Sequence, residues 1–178
     1  FFTYVPSGEV TPESVSKGGT LSRVKQLIRN AKGGLCIIAS GVRRMEIKEF
    51  VSASPLTRVT LTEFEEKQED EVLMIAMRNV LRTALLRSMQ LSPKLFDTEP
   101  SMDDMDEFIG EMASAYYNDN DERQQLLSMH SKYSQLEDIY AHIERYCSIA
   151  SLQKDIENKV RNSMDKSHRE YYLREQIK

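Results

Sequence analysis

From Glu111 to Lys178 the chain contains neither glycine nor proline. A stretch without the two strongest backbone breakers is committed to helix wherever apolar residues recur every three or four positions. They do so at Leu136, Ile139, Ile143, Tyr146 and Ala150, and again at Leu152, Ile156 and Val160. The spacing predicts one long helix from Ser134 to Lys178, about 65 Å at 1.5 Å per residue. Between Val160 and Tyr171 only Met164 is strongly apolar. A helix that is polar all round has no face to dock on its own domain, so this part is expected to meet solvent, another chain or a following domain.

The first third of the chain has the other period. "GLCIIAS" (34–40) is a short β-branched apolar run, and "VRRMEIKEFV" (42–51) follows it after Gly41, which reads as a pivot between two strands. In the second run Val42, Met45, Ile47 and Phe50 are the inward residues, alternating with Arg44, Glu46 and Lys48. "TRVTLTEFEE" (57–66) sets Val59, Leu61 and Phe64 against Thr60, Thr62 and Glu63. "GGTLSRVKQLIRN" (18–30) suits a strand or a short helix. Its place before the glycine-bearing "NAKGG" turn favours a long strand with Leu21, Val24 and Leu27 or Ile28 inward. Together with a turn at "SASP" (52–55), these runs predict a curled antiparallel sheet.

The period changes near Glu65. "EDEVLMIAMRNVLRTALLRSMQL" (69–91) places Val72, Ile75, Ala76, Val80, Leu81, Leu85 and Met89 on one helical stripe, and Pro93 ends it. Ser101 is the expected N-cap of the next helix, with Asp103 and Asp104 in its first turn and Met105, Phe108, Ile109 and Met112 on its buried face. "NDND" (118–121) is a turn before another short helix, "ERQQLLSMH". The expected organisation is an α+β chain: a β-rich lobe over 1–66, a helical bundle over 67–133 and a long exit helix over 134–178.

Composition narrows the function classes. Hydrophobic residues make up 40 % and charged residues 29 % of 178 positions, as in a globular protein with a large polar surface. The formal net charge of −4 opposes general nucleic-acid binding, although Arg43, Arg44 and Lys48 form a local basic strip. Asp97 to Glu122 holds ten acids and no Lys or Arg, which reads as a solvated helical face. Cys36 and Cys147 are expected to be buried reduced thiols, and they form no ligand cluster with His130, His142 or His168. Met74, Met77, Met105 and Met112 read as fillers of irregular helical cores. No P-loop, GxSxG elbow or HExxH motif occurs, and a Cys147–His142 pair would lie on different faces of its helix. No catalytic, cofactor-binding or metal-binding residue is therefore assigned.

The C-terminal segment carries a resemblance. "DIENKVRNSMDKSHREYYLREQIK" (155–178) resembles the helix that ends the N-terminal domain of Lon proteases, with Val160, Met164, Lys166, Arg169, Glu170, Tyr171, Tyr172, Leu173, Glu175, Gln176 and Lys178 at matching places and His168 where the family usually has Gln. Gly19, Thr20, Val24, Gln26, Leu27, Gly41 and Arg44 match its middle strands, and "DERQQLLSMHSKYSQLEDIYAHIERYCSIASLQKDI" (121–156) is similar to the helices before the long one. The family's opening strand–helix–strand unit, with its P-L-R-x-x-V-x-F-P-like motif, is missing here. The chain also opens on "FFTYV" without Met and closes inside a helix, as a piece of a larger protein would.

The resemblance implies a PUA-like β lobe, incomplete at its N-terminus, followed by a helical bundle and the long helix. It implies substrate recognition and assembly for an ATP-dependent protease that degrades unfolded or damaged proteins. The AAA+ ATPase, with its ATP and Mg, and the Ser–Lys protease would reside in the parent, and this piece would have no catalysis of its own. Implied partners are unfolded proteins, the other subunits of a homo-hexamer and the adjoining ATPase domain, with no membrane. The implied setting is bacterial cytoplasm, with the mitochondrial matrix as alternative. Tyr171, Tyr172 and Leu173, which restore apolar surface after a polar stretch, are the interaction candidates. The competing reading is a stand-alone adaptor ending in a coiled coil.

Overall fold

Four strands and four helices follow one another in the computed structural model: β1 (Phe2–Thr3), β2 (Gly18–Arg29), β3 (Leu35–Ser52), β4 (Arg58–Glu63), α1 (Glu71–Leu91), α2 (Met105–Tyr116), α3 (Asn120–Ser128) and α4 (Lys132–Gln176). The structure describes residues 1–6, 10–29, 31, 33–52 and 57–176, with side chains as far as Met164. Much of the predicted "SASP" turn, and Asn30 and Lys32 of "NAKGG", lie outside the described residues; Gly33 of that turn has φ +81°, a conformation glycine adopts without strain.

The strands form an antiparallel meander in the order β1-β2-β3-β4. Gly41 does not separate two strands, because β3 runs unbroken from Leu35 to Ser52. The register passes from Leu21↔Arg43 to Ser22↔Gly41, so Val42 is the extra residue of a bulge. A second bulge adds Lys25 on β2, and between β3 and β4 the register likewise skips Lys48 and Val51. Each bulge bends its strand and resets the alternation of faces. Met45 and Ile47 are buried as the alternation predicts, whereas Val42 is 57 % exposed because it sits at the slip. Gly19 pairs with Thr3 where β1 crosses closest: a Cβ there would come 2.4 Å from the Phe2 carbonyl oxygen.

The chain divides into two units, Phe1–Asp70 with Tyr117–Gln135, and Glu71–Tyr116 with Leu136–Lys178. In the first, α3 is capped by Asp119, whose side chain accepts from the Asp121 amide. Gln124 Nε2 donates to the Gly18 carbonyl at 3.0 Å, fixing α3 against the start of β2. Tyr117, Leu126 and Gln135 are fully buried, and Gln135 donates to the Leu126 carbonyl at 2.7 Å.

The second unit buries Met77, Leu81, Ala84, Leu85 and Ser88 of α1, Phe108, Ile109, Met112 and Tyr116 of α2, and Leu136, Ile139, Ile143 and Cys147 of α4. This corrects the α1 stripe. Leu81 and Leu85 are inside, but Val72, Ile75 and Val80 are 75, 53 and 45 % exposed. The first half of α1 is apolar nearly all round, so periodicity alone does not choose the buried side. Polar Ser88 is buried because it is satisfied, donating to the Leu85 carbonyl at 2.8 Å and accepting from the Tyr116 hydroxyl at 2.5 Å. The N-cap of α2 is Asp104, not Ser101: Asp104 Oδ1 accepts from the amides of Asp106 and Glu107, while Ser101 turns the loop ahead by accepting from the Asp103 amide. Asp104 sits one residue before the helical run, where its carboxylate also meets the helix dipole.

Tyr116 stacks edge-on with Tyr146 at 5.4 Å. Burial pushes its phenol up to about 12. An unfolded tyrosine ionises near pH ~10. The stability contributed by Tyr116 is therefore complete below about pH 10 and is lost as pH rises towards 12. Alkaline unfolding followed by circular dichroism is expected to set in within that window. Tyr116→Phe should move its midpoint upward while costing about 1 kcal/mol at neutral pH for the lost hydrogen bond. An unmoved midpoint would assign alkaline unfolding to another group.

Candidate functional site

Beyond the reach of β1 and β4, strands β2 and β3 continue as a two-stranded arm. β1 pairs with β2 only at Gly19 and Thr20, and β4 reaches β3 only from Met45 onward. Among the described residues, Leu21–Arg29 and Leu35–Arg43 have one another as their ladder partners. Residues opposite one another share a face, so Gln26 and Ile38 lie with Ile28 and Cys36, and Leu27 and Ile37 with Arg29 and Leu35. Apolar side chains thus occupy both faces, and they are open: Leu27 is 61 %, Leu35 62 %, Ile37 47 %, Ile38 44 % and Ile28 40 % exposed. The inward placement expected for Val24, Leu27 and Ile28 does not hold, because no third layer covers this part of the ladder among the described residues. Cys36 is likewise exposed rather than buried, while Cys147 is buried as expected.

The base of the arm is clamped. The Arg44 guanidinium donates to the carbonyls of Leu127 and Met129 at 3.1 and 3.0 Å, pairs with Glu66 and lies 4.4 Å over the Phe64 ring. Phe64 in turn stacks on His130, centroids 4.4 Å apart. His130 Nδ1 donates to the Glu65 carbonyl at 2.7 Å, and the Lys67 amide donates to the His130 carbonyl at 2.8 Å. Lys132 completes the set at 3.4 Å from Glu66. One planar cation therefore joins β3, the chain leaving β4 and the end of α3, a role that a fork of donors with a stackable face can fill. Arg43 pairs with Glu63, so the basic strip on which an RNA-binding reading would rest is largely committed to internal partners.

The arm has its own charge. From Gly18 to Met45 the sequence holds Arg23, Lys25, Arg29, Lys32, Arg43 and Arg44 and no acid. Arg23, Lys25 and Arg29 are exposed on β2, beside the apolar residues. Open ladder edges, apolar faces and flanking charge together can hold an extended polypeptide, since main-chain groups supply binding and side chains supply selectivity. Sequence reading missed this surface. Its signal was available in the adjacent pairs Leu27–Ile28 and Ile37–Ile38, which put apolar residues on both faces of one hairpin.

Tyr171, Tyr172 and Leu173 fall in the last turns of α4, and their side chains lie outside the described residues. Earlier on α4 every residue from Ser151 to Met164 is exposed, including Leu152, Ile156 and Val160. Among the described residues no group of three or more His, Cys, Asp or Glu could hold a metal ion.

Residues 5–145 match the family model of the ATP-dependent protease La (LON) substrate-binding domain. The chain belongs to this family. That match ends before Asp155–Lys178 and so rests on residues other than those of the C-terminal resemblance. Lon protease of Brucella melitensis biotype 1 is 28 % identical over 171 residues, covering 94 % of this chain and 21 % of that protein. Lon protease of Heliobacterium modesticaldum is 28 % identical over 170 residues, and that of Nitratidesulfovibrio vulgaris 29 % over 175. The chain spans about a fifth of the length of these curated relatives. The solved N-terminal domain of Mycobacterium avium complex Lon protease superposes with a TM-score of 0.56 at 19 % identity, over 76 % of this chain and 74 % of that one. The fold is thus that of a Lon N-terminal domain, a β lobe followed by helices. The arm and its Arg44 clamp both lie inside the matched LON substrate-binding region.

Proposed function

We propose that this chain captures unfolded or damaged proteins for an ATP-dependent Lon-type serine protease. The observation that carries the reading is the match of residues 5–145 to the LON substrate-binding domain, a region in which the arm carries exposed apolar side chains. In the proposed parent, an AAA+ module using ATP and Mg and a Ser–Lys protease act on what this domain delivers, within a homo-hexamer. Tyr171, Tyr172 and Leu173 are proposed to contact the ATPase module or a neighbouring subunit. Bacterial relatives support a bacterial cytoplasmic setting over the mitochondrial matrix. Among the described residues no helix is long and apolar enough to cross a membrane. Family membership favours this reading over a stand-alone coiled-coil adaptor.

The test is binding of carboxymethylated α-lactalbumin, which is permanently unfolded, against the native form of the same protein, read by fluorescence anisotropy. The chain should bind the unfolded form and ignore the native one, and binding of neither would defeat the proposal. In the same preparation Tyr172→Ala with Leu173→Ala should weaken self-association or coupling to the ATPase while leaving client binding in place.

A further inference from the structure

We infer that helix α1 is a contact surface between two copies of this chain, pairing antiparallel with itself about a two-fold axis beside Ala76. The inference goes beyond the capture reading and does not depend on it. The core side of α1 is Met77, Leu81, Ala84, Leu85 and Ser88. Helical geometry turns Val72, Ile75, Ala76, Asn79, Thr83 and Leu86 away from that set, and none of these six is charged. A surface helix ordinarily carries its charges on the side opposite its core. Here Val72, Leu73, Ile75 and Val80 are all exposed on the first three turns, within one helical unit of the protein.

The two flanks of this side say what fits it. Leu73 and Val80 border it on one flank, Glu71 and Arg82 on the other. An isologous antiparallel pair lays each flank along the same flank of the second copy, with positions exchanged about the axis. The point midway between residues 71 and 82 is also midway between residues 73 and 80. One axis there sets Glu71 of each copy opposite Arg82 of the other, and Leu73 opposite Val80. Ala76 stands at the crossing, where a small side chain lets two helices approach closely. Arg82 spends its Nε on Glu99 at 3.0 Å and keeps both terminal nitrogens for a second carboxylate. A parallel pair would instead lay the charged flank of each copy along the apolar flank of the other. An unfolded client could cover the apolar residues, but nothing in it would answer Glu71 and Arg82 together. The complementary occupant is therefore α1 of a second copy.

The test is cross-linking of the full chain by a short bismaleimide. Cys36 is exposed and is first changed to Ser, while Cys147 is buried and stays. Ala76→Cys in that background should give covalent dimers. Gln90→Cys, also exposed on α1 but far from the axis, should give none. Glu71→Arg and Arg82→Glu should each lower the dimer yield at limiting protein concentration about ten-fold, because two symmetry-related ion pairs become like-charged at once. The two changes combined exchange the charges and should restore the yield. Where a charge variant does not fold, the comparison of Ala76→Cys with Gln90→Cys still decides. Equal yields at residues 76 and 90, or no dimer at residue 76, overturns the inference. So does an Ala76→Cys thiol already shielded in the monomer, or a dimer that unfolded α-lactalbumin displaces, since either gives this side of α1 to another occupant. Loss of α-lactalbumin capture with the charge-dependent dimer intact would defeat the capture reading and leave this inference standing.

Discussion

Replacing Arg44 with Ala is expected to cost the sheet unit about 3 kcal/mol, because two carbonyls and a carboxylate lose their shared donor at once. The Arg44 side chain is only 10 % exposed, and its guanidinium serves the Leu127 and Met129 carbonyls, Glu66 and the Phe64 ring. Hydrogen bonds to a charged donor contribute about 1.5–3 kcal/mol each, and part of that returns when water reaches the orphaned carbonyls. For a unit of this size about 3 kcal/mol corresponds to a melting shift on the order of 15 °C. Arg44→Lys should recover less than half of the loss, since an ammonium supplies a point charge but neither the fork nor the stacking face. Calorimetry, with hydrogen exchange at the amides of α3 and β3, reads both effects. A variant that melts within about 1 °C of the parent would show that the carbonyls are hydrated at no cost, and that the clamp is a consequence of the fold rather than one of its causes.

The largest loss in the helical unit is expected from Phe108→Ala. Phe108 is fully buried on α2, in the unit where Leu81, Leu85, Met112, Leu136, Ile139 and Ile143 are also closed to solvent. Truncating a buried phenylalanine forfeits its transfer energy and leaves a void that neighbours fill only partly, together about 3–5 kcal/mol. Phe108→Leu keeps most of the volume and should cost under about 1.5 kcal/mol. Leu152→Ala on α4 is the internal contrast: Leu152 is 60 % exposed, so its loss should stay within about 0.5 kcal/mol. Denaturant midpoints order the three variants, and a Phe108→Ala chain no weaker than Leu152→Ala would place the core of this unit elsewhere.

The switch from strand to helix was legible because period two gives way to period three-and-a-half between β4 and α1. The long helix, expected over 134–178, runs from Lys132 to Gln176, since nothing in that stretch breaks it. Failures occurred where a local rule met a tertiary choice. Val42 reads as inward by counting, yet the register slip beside Gly41 turns it out. Ser101 is a good cap by type, but Asp104 is nearer the helical residues and takes the amides. The arm was legible as strand and illegible as surface. Alternation says which residues share a face, and only the third dimension says whether anything lies over it.

The order of segments in the sheet unit has a further consequence for how the protein is made. Its strands are complete by Glu63, yet the helix that receives Arg44 begins only at Asn120. A ribosome must therefore translate all of α1 and α2 before the carbonyls of Leu127 and Met129 exist, a delay of several seconds at roughly 5–20 residues per second. Throughout that interval the nascent strands carry a buried-type cation with nowhere to go, and the sheet has to wait, open, for its own latch to be synthesised.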